Sequence, residues 1–139
     1  MSRAGELNWT EDWQTAQDHA GCSVRGWISV EEGYRYHRLA KAMKPGQRML
    51  EIGTFGGATP ALFALVAPAD VEIIAIDPFI NKTHEESQAG RGVPESEIQT
   101  LEEMCRENWR KGGVDDAIEL IVEDSHVVGP KWDRWLDIC

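Results

Sequence analysis

The chain has 139 residues, of which 42% are hydrophobic and 27% are charged, a composition typical of one folded globular domain. A formal net charge of −10 repels phosphate backbones, so we do not expect nucleic acid as a partner. The three cysteines (Cys22, Cys105 and Cys139) form no CxxC pair and predict neither a zinc site nor a disulfide framework. No leader and no membrane-spanning run is recognisable, so we expect a soluble cytoplasmic protein.

Residues 1–27 are predicted to form a helical extension of one or two helices that pack on the body. The segment ISVEEGYRYHRLAKAM, residues 28–43, then carries apolar side chains at helical intervals. Ser29 and Glu32 have the spacing of a capping box at its start, and Pro45 with Gly46 ends it.

Short apolar runs then alternate with helical segments. Strands are predicted at residues 48–52, 71–76 and 118–122, and helices at residues 58–67 and 95–111. Residues 80–94 are polar and have no period, which predicts a loop, either a lid or a disordered surface insertion. The alternation predicts an α/β fold, a Rossmann-like doubly wound parallel sheet in three α/β/α layers.

The segment WDRWLDIC, residues 132–139, begins a fourth apolar run. In this kind of sheet the first strand is central, and the run from Leu136 should be its second neighbour. We therefore expect a sheet that is incomplete at its C-terminal side. Its open edge would suit a second copy of the chain, as in a homodimer, or a completing chain.

The most informative stretch is residues 48–79. A short apolar run reaches Glu51, and the second strand ends at Asp77. Between them lies a glycine-rich turn with Gly53, Gly56 and Gly57. This order of strand, glycine turn, helix and strand-end acid holds nucleoside-type cofactors at the carboxyl edge of parallel sheets. Each feature alone is as readily a tight turn or a solvated strand end, but their succession favours a cofactor.

These motifs resemble those of class I S-adenosylmethionine-dependent methyltransferases, and most closely the catechol and caffeoyl-CoA O-methyltransferase-like group. LEIGTFGGAT resembles the first motif of that group, AIDPF the second and IELIVEDS the third. The resemblance covers roughly residues 28–138 and assigns residues 28–139 to a cofactor-binding domain. It implies S-adenosylmethionine as cofactor and O-methylation of a small-molecule acceptor.

The resemblance also implies site residues. Glu51 and Gly53 would line the methionine end of the cofactor, and Thr59 would contact its carboxylate. The N-terminus of the following helix suits that carboxylate, and an acid suits the cationic amino and sulfonium groups. The same motifs add further cofactor-binding candidates: Thr54, Phe55, Gly57 and Pro78.

In the second and third motifs, Asp77 would bind the ribose diol, and Asp124 with Ser125 would meet the adenine. In the O-methyltransferases that the chain resembles, a divalent metal and acidic ligands after the fourth strand remove the acceptor's proton. Those positions would lie beyond Cys139, so the sequence assigns neither a catalytic residue nor a metal ligand.

Two other functions stay open. The chain could be a catalytically incomplete fragment that binds the cofactor, or only a partner chain at its open edge. It could also be a Rossmann-type oxidoreductase, although GTFGG lacks the GxGxxG spacing of a dinucleotide site. Of the four histidines, none with metal-ligand spacing, only His126 lies beside site candidates. Trp132 and Trp135 are expected in the core or the pocket wall, and Cys105 in packing.

Overall fold

The computed structural model of the chain describes residues 30–139. Its elements follow in the order α1 (Val30–Ala42), β1 (Arg48–Ile52), α2 (Ala58–Val66), β2 (Glu72–Ile76), α3 (Thr83–Gly90), α4 (Leu101–Gly112), β3 (Ile118–Ile121) and α5 (Ser125–Val128). Short 3₁₀ turns occupy Glu95–Glu97, Asp115–Ala117 and Gly129–Lys131. The expected N-terminal extension and the cap at Ser29 lie outside the described residues.

The three strands form one parallel sheet in the order β1-β2-β3. Leu50 pairs with Ile74, and Ile74 pairs in turn with Glu119. The predicted bounds of β1 are confirmed, and those of α2, β2 and β3 are confirmed to within one residue at each end. The chain therefore has the predicted Rossmann-like α/β fold, with helices flanking a parallel sheet.

Successive side chains of a strand point to opposite faces of the sheet. Because β1 and β2 carry apolar residues at consecutive positions, both faces of the sheet are apolar. On the first face Met49 and Ile73 pack with residues of α1, α2 and α4 in one buried cluster. Phe63 of α2 belongs to this cluster, as does Cys105 of α4, whose predicted packing role is confirmed. On the second face, Leu50, Ile74 and Ile76 form a smaller cluster covered in part by Val128, Trp132 and Leu136.

The fourth apolar run meets β1 at the position predicted for a second neighbour. Ile138 forms a parallel bridge with Met49, and Leu50 N donates to Ile138 O at 3.0 Å. Asp137 strengthens this junction by accepting a hydrogen bond from Arg48 N at 2.8 Å. Within residues 30–139 the run contributes this single bridge and no regular strand.

The prediction of an unstructured loop at residues 80–94 is wrong, because α3 forms inside it. Asn81 Oδ1 accepts hydrogen bonds from the backbone N–H of Thr83 at 2.9 Å and from its hydroxyl at 2.6 Å, which starts the helix. At its other end, buried Gln88 donates to Gln99 O at 2.7 Å and accepts from Gln99 N at 3.1 Å. Hydrogen bonds from side chains to the backbone therefore stabilise α3, which lacks the periodic apolar residues by which a helix is recognised in a sequence.

The predicted helix at 95–111 begins too early. A 3₁₀ turn occupies Glu95–Glu97, and α4 starts at Leu101 with Thr100 as its N-cap. Thr100 and Glu103 form a reciprocal capping box. The helix ends at Gly112, and the next residue, Gly113, has a φ of +67°, the left-handed conformation expected at a C-cap.

The prediction that both C-terminal tryptophans lie in the core or a pocket wall is correct only for Trp132. Its ring packs on the second face, and the guanidinium of Arg134 lies 4.5 Å from the ring centroid. The Trp135 side chain is 80% exposed, so that prediction is wrong. Its backbone is held instead, because Arg48 donates to Trp135 O at 2.8 Å while pairing with Glu72.

Candidate functional site

The candidate site lies where β1 and β2 end at the carboxyl edge of the sheet. We call residues 53–57 the glycine loop, and the loop with Glu51, Thr59 and Asp77 the β1–β2 cradle. Gly53 N donates to Ile76 O at 2.8 Å, which ties the loop to the end of β2. Eight of the ten predicted site residues lie in the cradle or, like half-buried Pro78, directly after it.

Asp77 joins the two loops that leave β1 and β2. Its carboxylate accepts a hydrogen bond from Phe55 N at 2.9 Å and another from Phe79 N at 2.7 Å. Both phenylalanines have a φ of +50°, a left-handed conformation that is uncommon for a residue with a bulky side chain. Asp77 is only 8% exposed, and it therefore stabilises two strained turns at once.

Glu51 places an acid beneath the N-terminus of α2. Burial raises its pKa from 4.5 to about 7; the Thr54 and Thr59 hydroxyls oppose this rise, and the negative charge of Asp77 adds to it. Among the described residues, neither Glu51 Oε2 nor Thr54 Oγ1 has a partner at hydrogen-bond geometry, although both atoms are buried. The Thr54 hydroxyl therefore acts on Glu51 through its dipole and not through a formed hydrogen bond.

The N-terminus of α2 completes this part of the cradle. Gly57 is the N-cap residue and supplies no side-chain cap, so the first-turn N–H groups of α2, the turn that contains Thr59, keep an uncapped positive dipole end. Thr59 is 6% exposed. The arrangement therefore offers an acceptor and a set of donors side by side, which suits a ligand carrying both an ammonium and a carboxylate group.

Residues that sequence analysis missed hold the back of the glycine loop. Asn108 and Trp109 of α4 reach the carbonyl groups of Gly56 and Gly57. A Cβ on Gly57 would lie 2.2 Å from Trp109 Nε1, and the φ of +82° at this position also favours glycine. The signal that could have located the pair is the apolar face of α4, on which Trp109 follows Cys105 by four residues.

The remaining two candidates, Asp124 and Ser125, follow the end of β3. We call these two residues and the adjacent His126 the β3 rim. Asp124 is the N-cap of α5 and accepts from His126 N at 2.7 Å; its second contact is with His126 Nδ1 at 2.9 Å. The backbone N–H and then the ring of His126 hold the pKa of Asp124 below its usual range. Asp77 N donates to Ile121 O at 3.2 Å, so the β3 rim follows a strand end that adjoins the cradle.

Other polar groups lie away from the cradle. His37 is buried in α1, and His84 of α3 has a buried Nε2 without a partner among the described residues. Within residues 30–139 no three histidine, cysteine or acidic side chains are grouped so that they could hold a metal ion. In the same part of the chain no helix has the length and apolar character needed to cross a bilayer.

Two surface cavities also lie outside the cradle. One of about 320 Å³ lies between the end of β3 and the segment around Trp132, and one of about 250 Å³ lies between α4 and β3. Neither is lined by any of the ten predicted residues. The candidate site is therefore defined by the loops and buried polar atoms of the cradle and not by either cavity.

Comparison with known proteins identifies the fold. No protein family model matches the chain, and no curated protein matches it in sequence. Among solved structures, cofactor-bound Rv0187 from MTB is similar, with a TM-score of 0.52 and 22% identity over 94% of this chain. The chain spans 50% of the length of that structure. At this identity the likeness shows a shared Rossmann-like fold.

Proposed function

We propose that the chain binds S-adenosylmethionine at the β1–β2 cradle and forms the cofactor half of a methyltransferase. The observation that carries this proposal is the buried, unpartnered carboxyl oxygen of Glu51 beside the uncapped N-terminus of α2. The methionine end of the cofactor is a zwitterion, so its ammonium would use Glu51 and its carboxylate the first N–H groups of α2.

The other cradle residues fit the rest of that ligand. Each oxygen of Asp77 accepts one backbone hydrogen bond and keeps further acceptor capacity, which the ribose hydroxyls would use. Asp124 at the β3 rim would accept from the adenine amino group, with Ser125 beside it. The resemblance of the sequence motifs supports a cofactor at this edge, and the cofactor-bound state of Rv0187 supports cofactor binding on this fold.

When bound, the cofactor supplies a methyl group on a sulfonium, which an acceptor atom displaces in line. The contribution of the chain would be positional, because the cradle would hold the donor and keep water from its methionine end. The acceptor that we propose is oxygen on a small molecule, following the motif resemblance. The −10 net charge disfavours a nucleic-acid acceptor.

The test is a calorimetric titration of the chain with S-adenosylmethionine, S-adenosylhomocysteine and NAD. The proposal predicts saturable binding of both adenosyl ligands and none of NAD. Thr59→Val should weaken binding of both about 5- to 30-fold, because it removes a hydroxyl from the methionine end, about 1–2 kcal/mol. Ser87→Ala on the exposed side of α3 is the matched control and should leave affinity unchanged.

Two results would contradict the proposal. One is a folded sample that binds neither adenosyl ligand, and the other is tighter binding of NAD than of S-adenosylmethionine. The second result would support the dinucleotide alternative on the same fold.

A further inference from the structure

Two neighbouring side chains of α4 donate to two consecutive carbonyl groups of the glycine loop. Asn108 Nδ2 lies 3.0 Å from Gly56 O, and Trp109 Nε1 lies 2.8 Å from Gly57 O. Both donors are buried, with Asn108 4% and Trp109 2% exposed. The contacts join residues 52 positions apart, so they are tertiary and not part of a local turn.

These bonds fix the direction of the peptide groups that follow. A trans peptide group is planar, and its C=O and the next N–H point in opposite directions. Because Gly57 O is directed at Trp109, the N–H of Ala58 faces away from α4. Gly57 O also accepts the first helical hydrogen bond from Ala61 N at 3.2 Å, which couples the same peptide to the axis of α2.

The contact leaves no room for adjustment. The indole of Trp109 occupies the space that a side chain at Gly57 would need, because a Cβ there would lie 2.2 Å from Nε1. Two residues before Gly57, Phe55 N donates to Asp77 at 2.9 Å. The glycine loop is therefore held at three consecutive residues, by a carboxylate at Phe55 and by two neutral donors at Gly56 and Gly57.

Packing alone would not require polar N–H groups at Asn108 and Trp109. A buried amide or indole N–H that lacks an acceptor is unfavourable, so an apolar residue would fill the same space without that penalty. Here both donors find their acceptors on the backbone of the predicted ligand loop. Their hydrogen bonds thus specify the orientation of the loop and not only its location.

We propose that Asn108 and Trp109 are positioning residues, which set the loop and the first N–H groups of α2 for the carboxylate end of the ligand. This inference rests on the proposed function for the identity of the ligand. The orientation of the loop itself is a property of the free chain. The two parts can therefore be tested separately.

The experiment measures backbone amide hydrogen exchange and S-adenosylmethionine affinity in Trp109→Phe and Asn108→Leu, which remove a donor and keep much of the volume. Thr100→Ala is the control, because it breaks the capping box of the same helix without contacting the loop. We expect exchange at the Gly57 and Ala61 amides, which donate to Thr54 O and Gly57 O, to rise at least tenfold in both variants, and affinity to fall about 5- to 50-fold. Thr100→Ala should change neither beyond its effect on global unfolding.

Asn108→Leu keeps the test decisive if Trp109→Phe fails to fold, because the indole bond then remains. Unchanged loop exchange in a folded variant would overturn the inference, as would raised exchange with unchanged affinity. A wild-type chain that binds no S-adenosylmethionine would refute the proposed function. In that case raised exchange at the Gly57 and Ala61 amides would still support loop positioning by α4, and unchanged exchange would refute it.

Discussion

The carboxyl edge of the sheet contains two regions with opposite surroundings. In the β1–β2 cradle, Asp77, Thr54 and Thr59 are buried, and Asp77 accepts backbone hydrogen bonds from two loops, while one buried oxygen of Glu51 has no partner among the described residues. At the β3 rim, the Asp124 side chain is 47% exposed and its bonds stay within its own short helix. A buried polar group is unfavourable unless something uses it, so the cradle carries more information about function than the rim.

The largest effect should come from Gly57→Ala at the centre of the cradle. The new Cβ would overlap Trp109 and require a left-handed φ of +82°, and these effects together should lower the free energy of unfolding by about 4 kcal/mol. Gly92→Ala is the matched control, because Gly92 has the same φ of +82° but open space around its Cα. It should lose only about 1–2 kcal/mol in urea unfolding.

Equal losses in the two glycine variants would show that backbone conformation alone matters at Gly57. The contact with α4 would then have no energetic role.

The next largest effect is expected at Asp77. In Asp77→Asn, an NH₂ group replaces one of the two carboxylate oxygens that accept from Phe55 N and Phe79 N. One of these two backbone N–H groups then faces a donor and loses its hydrogen bond. We expect a loss of about 3 kcal/mol in the free energy of unfolding, since bonds to a charged group are among the stronger ones. Urea denaturation at neutral pH measures it.

A change below about 1 kcal/mol at Asp77 would contradict its role in joining the loops. Its predicted contact with the ribose would then be the only role left for it.

Sequence and structure agree best where the information is local. The hydrophobic runs that form β1 and β2 are short, apolar and bounded by Gly46, Gly53 and Asp77, so periodicity and turn residues suffice to locate them. The acid and glycine candidates of the cradle could be named for the same reason. Their gathering at one edge follows from the parallel order of the strands.

Agreement fails where a single side chain acts over distance. Residues 80–94 lack an apolar period, and α3 depends on the Gln88 side chain bonding to Gln99, which no pattern encodes. The sequence pattern places Trp109 only within a predicted helix, and the use of its indole N–H on the loop requires the tertiary fold. The fourth apolar run is expected to begin a strand but forms a single bridge, between Ile138 and Met49, because apolar content does not determine the length of a strand.

A pH dependence should distinguish the cradle through Glu51. Its folded pKa of about 7 exceeds the ordinary value of 4.5, so the folded state holds a proton that the unfolded state has released between these values. The stability contribution is therefore complete below about pH 4.5 and is lost as pH rises through 7, by about 3 kcal/mol.

In Glu51→Gln, the free energy of unfolding measured in urea should not show this decrease between pH 4.5 and 7. Above pH 7 the variant should be more stable than the wild type. Glu97→Gln, at an exposed site, is the control and should follow the wild type. Parallel curves for Glu51→Gln and the wild type would show that Glu51 is ionised throughout.

The smallest effect belongs to the β3 rim. Asp124→Asn keeps an oxygen at the N-cap of α5, and asparagine caps helices as well as aspartate does. The free energy of unfolding should change by less than about 0.5 kcal/mol. A loss comparable with that of Asp77→Asn would remove the contrast between the two regions.

The protonation of Glu51 tests the central claim most directly. Carbon-13 NMR of its side-chain carboxyl should report a pKa near 7 in the free chain. With S-adenosylmethionine at saturation, the cationic amino group should keep this carboxyl ionised down to about pH 5. A titration of Glu51 that is the same with and without the saturating ligand would contradict the claim that the cradle holds the methionine end.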